Sequence, residues 1–198
     1  MSVAKPESAS PAGYSTRPTT LETSRLILRQ WRNADYAPYA AMSHDPEVMR
    51  YFPATLSRAE SDERIDHYRS LIDKNGWGLW AVEVKATGDF IGFTGLHQVE
   101  PELPFAPAVE IGWRLAVPAW GKGYASEAAA EAFRYGFTDL SLAEIVAYTA
   151  VDNARSRAVM ERFGMVYGYD FDHPLLPPDS PVLKHCVYFL SHEAWDKR

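Results

Sequence analysis

One junction constrains this chain more than any other feature. Residues 109–116, VEIGWRLA, form an apolar, β-branched and aromatic run that predicts a strand. Residues 124–140 follow with Ala129, Phe133, Phe137 and Leu140 on one helical face. Between them lie Gly121 and Gly123, with Lys122 in the middle. A strand that turns through glycines into a helix start presents amides with no intrahelical partner, and the helix dipole adds partial positive charge there. Glycine also lets the backbone approach a ligand closely. The stretch 117–132, VPAWGKGYASEAAAEA, therefore predicts a grip for the pyrophosphate of a nucleotide-bearing cofactor. The loop lacks the GK[ST] ending of a P-loop and the third glycine of the dinucleotide fingerprint, so it belongs to neither class.

Bulk properties narrow the setting. A chain of 198 residues is long enough for a sizeable core, and one domain over residues 21–198 is expected. A net charge of -6 argues against a dedicated nucleic-acid binder, which would show a basic face. The single cysteine, Cys186, excludes an intramolecular disulfide and a Cys-rich zinc site. The six histidines show no ligand spacing, so no metal is expected. The first 20 residues are rich in Ser, Ala, Pro and Thr without an apolar core, which predicts a flexible leader rather than a secretory signal. With no run of about 18 apolar residues to span a membrane, the expected location is cytoplasmic.

Periodicity predicts a strand at 25–31, a helix capped by Asn33 and a second helix opened by the Ser57–Glu60 capping box. Strands follow at 79–84 and 90–99, joined by a hairpin turn, and then a loop at 100–107 that holds three prolines. After the glycine junction come a strand at 144–150, a helix at 153–163 and strands at 165–169 and 185–191. Residues 170–184 read as a proline-broken loop. Hairpins early and strand-helix-strand units late imply a mixed sheet in an α/β (α+β) fold.

A second motif sharpens the first. The next helix begins Asn153-Ala-Arg-Ser156 and ends Glu161-Arg-Phe-Gly164-Met165. With residues 109–116 and Trp120-Gly-Lys-Gly123-Tyr-Ala125, this resembles the acetyl-CoA-binding core of the GNAT acyltransferase superfamily, whose loop reads Gln/Arg-x-x-Gly-x-Gly/Ala. The opening ETSRLILRQW and the NARS helix resemble the branch that contains the ribosomal-protein N-terminal alanine acetyltransferases. The resemblance implies about seven mixed strands flanked by about four helices, splayed between the fourth and fifth strands. Trp120 departs from the pattern, because it stands where the superfamily has Gln or Arg.

The resemblance also implies roles. Leu115 and Val117 would meet the pantetheine arm, and Gly121, Lys122, Gly123, Tyr124 and Ala125 would offer amides to phosphate. Pro118 has no N–H to offer. Asn153 would hydrogen-bond the cofactor and Ser156 would donate to the leaving thiolate, although Asn153 also suits a plain helix cap. Acyl transfer to an amine needs a neutral amine, donors to the oxyanion and a base. The candidates are Glu110 on the central strand, and Asp172 and His173 in the late loop. An exposed strand carboxylate and a turn-stabilising Asp-His-Pro are the bland alternatives. The implied activity is transfer of acetyl from acetyl-CoA to a primary amine in a ternary complex. The acceptor, a protein N-terminus or a small molecule, stays open, as does monomer against homodimer. A non-catalytic acyl-CoA sensor is the rival.

Overall fold

The computed structural model describes residues 18–198, so residues 1–17 of the expected leader lie outside the described residues. Order is present by Thr19, whose amide donates to the Gly76 carbonyl at 2.8 Å and whose carbonyl accepts from the Trp80 indole at 2.9 Å.

The elements are β1 (Leu21–Glu22), β2 (Leu26–Arg29), α1 (Tyr36–His44), α2 (Arg58–Asn75), β3 (Leu79–Val84), β4 (Phe90–Gln98) and β5 (Val109–Leu115). They continue with α3 (Tyr124–Thr138), β6 (Glu144–Ala150), α4 (Ala154–Arg162), β7 (Val166–Asp172), β8 (Lys184–Ser191) and α5 (His192–Asp196). The strands form one sheet of 8 in the order β1-β2-β3-β4-β5-β6-β8-β7. Neighbours run antiparallel except β5 and β6, which are parallel and meet at one pair, Glu110↔Val146. That is the expected mixed sheet with its splay.

The strands and helices beyond the expected number are β1 and α5. Both are too short for a periodic signal. Ser191 caps α5 by accepting from the Ala194 amide at 3.2 Å, and Trp195 stacks on Phe133 at 5.6 Å. The late strand also runs further than expected, to Asp172, because β7 pairs with β8 as far as Lys184.

Helices cover both faces. On one face, α1 and α2 bring Tyr39 and Tyr68 against Trp31 and Phe93, with Trp31 and Tyr39 edge-on at 5.4 Å. On the other, α3 buries Ala128, Ala129, Ala132, Phe133 and Phe137 completely. Each such phenylalanine contributes about 2–3 kcal/mol of transfer free energy. Covered on both sides, β2 and β3 read as near-continuous apolar runs rather than alternating ones.

The Ser57–Glu60 capping box is present, with the Ser57 amide donating to Glu60 Oε2 at 2.8 Å. The first helix corrects its expected start. Residues Asn33–Asp35 make a 3-10 turn and α1 begins at Tyr36. Asp35, not Asn33, organises the turn, because its Oδ2 takes the Arg32 amide at 2.7 Å. Asp35 is fixed there by Arg29, which also reaches Glu83 at 2.7 Å. Burial alone would lower the Arg29 pKa, but its bonds to the two carboxylates raise it. Arg29 is thus a buried charge with every demand met.

Candidate functional site

Past Glu110 the strands β5 and β6 diverge, and a cleft of about 1260 Å³ opens between them. Leu115, Gly121, Gly123, Tyr124 and Ala125 line it from one side. Asn153 and Ser156 at the start of α4 line it from the next, with Glu110 and His173 also on its wall. Val117 and Lys122 are not on the wall. The Val117 side chain is 37% exposed in a 3-10 turn, and the Lys122 carbonyl faces back to accept from Arg25 at 3.1 Å.

The glycine loop has the geometry that its residues demand. Gly121 and Gly123 sit at φ 72 and 78, in the left-handed region that other residues enter at a cost. The first α3 bond is Glu127 N to Gly123 O at 3.0 Å. The amides of Gly121, Lys122, Gly123, Tyr124 and Ala125 meet no acceptor among the described residues. Five unspent donors at a helix start suit a phosphate.

Two residues that the sequence did not single out brace this loop. Glu127 in the first turn of α3 bonds the Thr23 hydroxyl at 2.6 Å, the Arg25 amide at 2.8 Å and the Arg25 Nε at 2.6 Å. Burial would push the Glu127 carboxyl up, but these bonds hold it below the usual carboxylate range. Arg25 offsets the negative charge beside the anion grip and lies 4.6 Å from the Tyr124 ring. Trp120 also has a definite place. Its indole donates to the Leu115 carbonyl at 2.7 Å, tying loop to strand, and Arg155 packs on its ring at 4.4 Å.

At α4, both readings of Asn153 coexist. Its Oδ1 caps the helix by accepting from the Ser156 amide at 3.2 Å, and its Nδ2 donates to Thr149 at 2.9 Å. The Ser156 hydroxyl makes no hydrogen bond within the described residues. Nearby, Arg162 bonds the Ser126 hydroxyl at 2.7 Å, so it is a cross-brace between α4 and α3 rather than only a solvated side chain.

Glu110 stands at the splay itself. Its side chain is 18% exposed, and the His97 Nδ1 lies 3.7 Å from its Oε1. Burial pushes its carboxyl up to about 8; the Tyr148 phenol opposes that and Glu100 adds to it. Burial lowers the His97 pKa, with Glu100 opposing. The group is a carboxyl poised to titrate near neutrality, with the His97 imidazole alongside.

The late-loop candidates part company. His173 is on the cleft wall, its Nδ1 accepting from the Leu175 amide at 3.3 Å and its ring 4.8 Å from that of His185. Burial lowers its pKa. The structure does not bring Asp172 to it: the Asp172 carboxylate is off the cleft wall and pairs with Lys184 at 2.7 Å. β7 ends at Asp172, so His173 already belongs to the loop that turns over the cleft. Among the described residues, no group of three or more His, Cys, Asp or Glu could hold a metal ion.

Residues 25–166 match the acetyltransferase (GNAT) domain family. The chain is 32% identical over 150 residues to the uncharacterized protein YkkB of Bacillus subtilis, covering 75% of this chain and 86% of that one. It is 31% identical over 185 residues to the FsC-acetyl coenzyme A-N(2)-transacetylase of Aspergillus fumigatus, covering 89% of this chain and 77% of that one. Among solved structures, Mycobacterium smegmatis RimJ in complex with CoA-disulfide has the same fold. Its TM-score is 0.72 at 20% identity, with 91% of each chain covered.

Proposed function

The chain belongs to the GNAT acetyltransferase family and is an acyltransferase; from that footing we propose that it moves the acetyl group of acetyl-CoA to a primary amine in a ternary complex. Residues 21–198 would act as the catalytic unit. Acetyl-CoA supplies an activated acyl group as a thioester, and the chain's residues do the rest. The loop amides from Gly121 to Ala125 would hold the pyrophosphate, and the free edges of β5 and β6 would lie along the arm. Glu110 would take the amine's proton, with His97 beside it to pass the proton on. The Ser156 hydroxyl would donate to the departing sulfur.

The observation that carries this reading is the shared cleft: Gly121, Gly123, Tyr124 and Ala125, whose amides are unspent, line the same space as Glu110. Calorimetry with acetyl-CoA, followed by thiol release with a panel of amines, tests it. Absence of acetyl-CoA binding would sink it. Binding without turnover on any amine would favour the acyl-CoA sensor instead. Among the described residues, no helix is long and apolar enough to cross a membrane.

The role of Ser156 has its own measurement. Ser156→Ala is expected to lower kcat by about tenfold, the loss falling on kcat more than on acetyl-CoA affinity. Equal losses in both would make Ser156 a binding residue only.

A further inference from the structure

We infer that the acceptor amine carries a carboxylate several bonds away, and that Arg114, supported by Arg64, binds it on the α1/α2 side of the cleft. The inference rests on the amine-transfer reading and names the class of acceptor for the same site.

Arg114 is on β5, four residues after Glu110 and on the same face of the strand. At roughly 3.3 Å per residue the two Cα atoms are about 13 Å apart, so a molecule touching both side chains is an elongated one. The guanidinium lies 3.9 Å from the Phe52 ring and 5.3 Å from the Phe93 ring. Its Nε is buried and has no hydrogen-bond partner. No carboxylate is within ion-pair distance of it among the described residues.

Arg29 shows what this protein does with a buried guanidinium that is only structural: it supplies Asp35 and Glu83. Arg114 receives neither, in a chain with 26 acidic residues against 20 basic ones. Arg114 is half-buried with its Nε shut off from solvent, and a cation so placed without a carboxylate is costly, a cost that persists where a ligand completes the pair. Arg64 on α2 lines the same wall and also makes no ion pair among the described residues. Burial draws the Arg114 pKa down; the Tyr68 and Tyr39 hydroxyls oppose that and the like charge of Arg64 adds to it.

The cleft is therefore polarised along β5. Glu110 and Glu100 make one end acidic and Arg114 makes the other cationic, with Arg64 between them, close enough to act on both His97 and Arg114. An amine at the first end and a carboxylate at the second match it, and a planar guanidinium meets a carboxylate with two parallel bonds. A polyamine or an aminoglycoside would bring a second cation against the arginines.

The probes are 6-aminohexanoate, 6-aminohexanamide and 1,6-diaminohexane, with thiol release measured at saturating acetyl-CoA. The acid is expected to show a KM about tenfold or more below the amide, with the diamine poorest. Arg114→Gln should collapse the acid-to-amide ratio towards one, and Arg114→Lys should keep part of it, with no fall in Tm for either. Equal KM values for acid and amide in the native protein would overturn the inference. So would an Arg114→Gln variant that loses both probes alike and melts lower, since that is packing alone. Calorimetry of 6-aminohexanoate on CoA-loaded protein separates the two readings. Binding lost in Arg114→Gln but without any turnover would keep the carboxylate subsite and sink amine transfer. No binding at all would overturn the subsite.

Discussion

Replacing Glu110 with glutamine is expected to lower kcat by about 10²–10⁴, the usual contribution of a general base. The native kcat/KM should rise with pH up to an inflection near the Glu110 value of about 8, and Glu110→Gln should lose that inflection. The same variant makes a second, opposite prediction for stability. In the unfolded chain Glu110 ionises near its ordinary value of 4.5, whereas the folded protein keeps the proton to about 8. Between those two values the folded state binds more protons, so native stability falls with rising pH, at up to about 1.4 kcal/mol per pH unit. Glutamine has no such dependence. Glu110→Gln should melt above the native protein at pH 9 and level with it at pH 4, while turning over far more slowly. A variant that is slow and also less stable at pH 9 would show Glu110 to be a structural residue.

Gly123→Val is expected to weaken acetyl-CoA binding by a factor of about 10² or more, because two or more charge-assisted bonds are worth about 1.5–3 kcal/mol each. The reason is conformational rather than steric. A Cβ at Gly123 would meet only the Arg25 guanidinium, at 3.5 Å, so the space is there. A β-branched residue at φ 78 is not tolerated in the same way, and the loop must turn its amides elsewhere to relieve it. Calorimetry gives the affinity, and melting curves show that the fold survives. An unchanged Kd in a folded variant would mean that the anion is held elsewhere.

The glycine loop, β5 and the α4 start were legible in the chain because each rests on local chemistry: glycines for left-handed turns, a polar cap before a helix, apolar alternation in a strand. The family and the splayed sheet followed from those motifs together. What was not legible depends on residues far apart in sequence. Arg25 and Glu127 are separated by 102 positions and reveal their joint role only when the sheet edge meets α3. Trp120, a departure from the usual Gln or Arg, is a tie to the Leu115 carbonyl, a job that no motif states. Asn33 does not cap α1 because the Asp35 carboxylate, held by the buried Arg29, takes the Arg32 amide and makes residues 33–35 a separate turn. Asp172 and His173 were equal candidates in the chain, and only the pairing of Asp172 with Lys184 at the end of β7 tells them apart. Arg114 carried no signal, since its partner's absence shows only in three dimensions.

The alternation along β5 has a consequence for descent. Val109, Ile111, Trp113 and Leu115 project towards α3, while Glu110, Gly112 and Arg114 project towards α1 and α2. If the acyl donor is read by main-chain groups, the codons for Gly112 and Arg114 are free to drift without disturbing it, while Glu110 is held by the proton transfer proposed for it. Lineages could then exchange one acceptor for another through Gly112 and Arg114 alone, keeping donor and scaffold intact. Diversity among relatives should accordingly be concentrated on alternate letters of that strand.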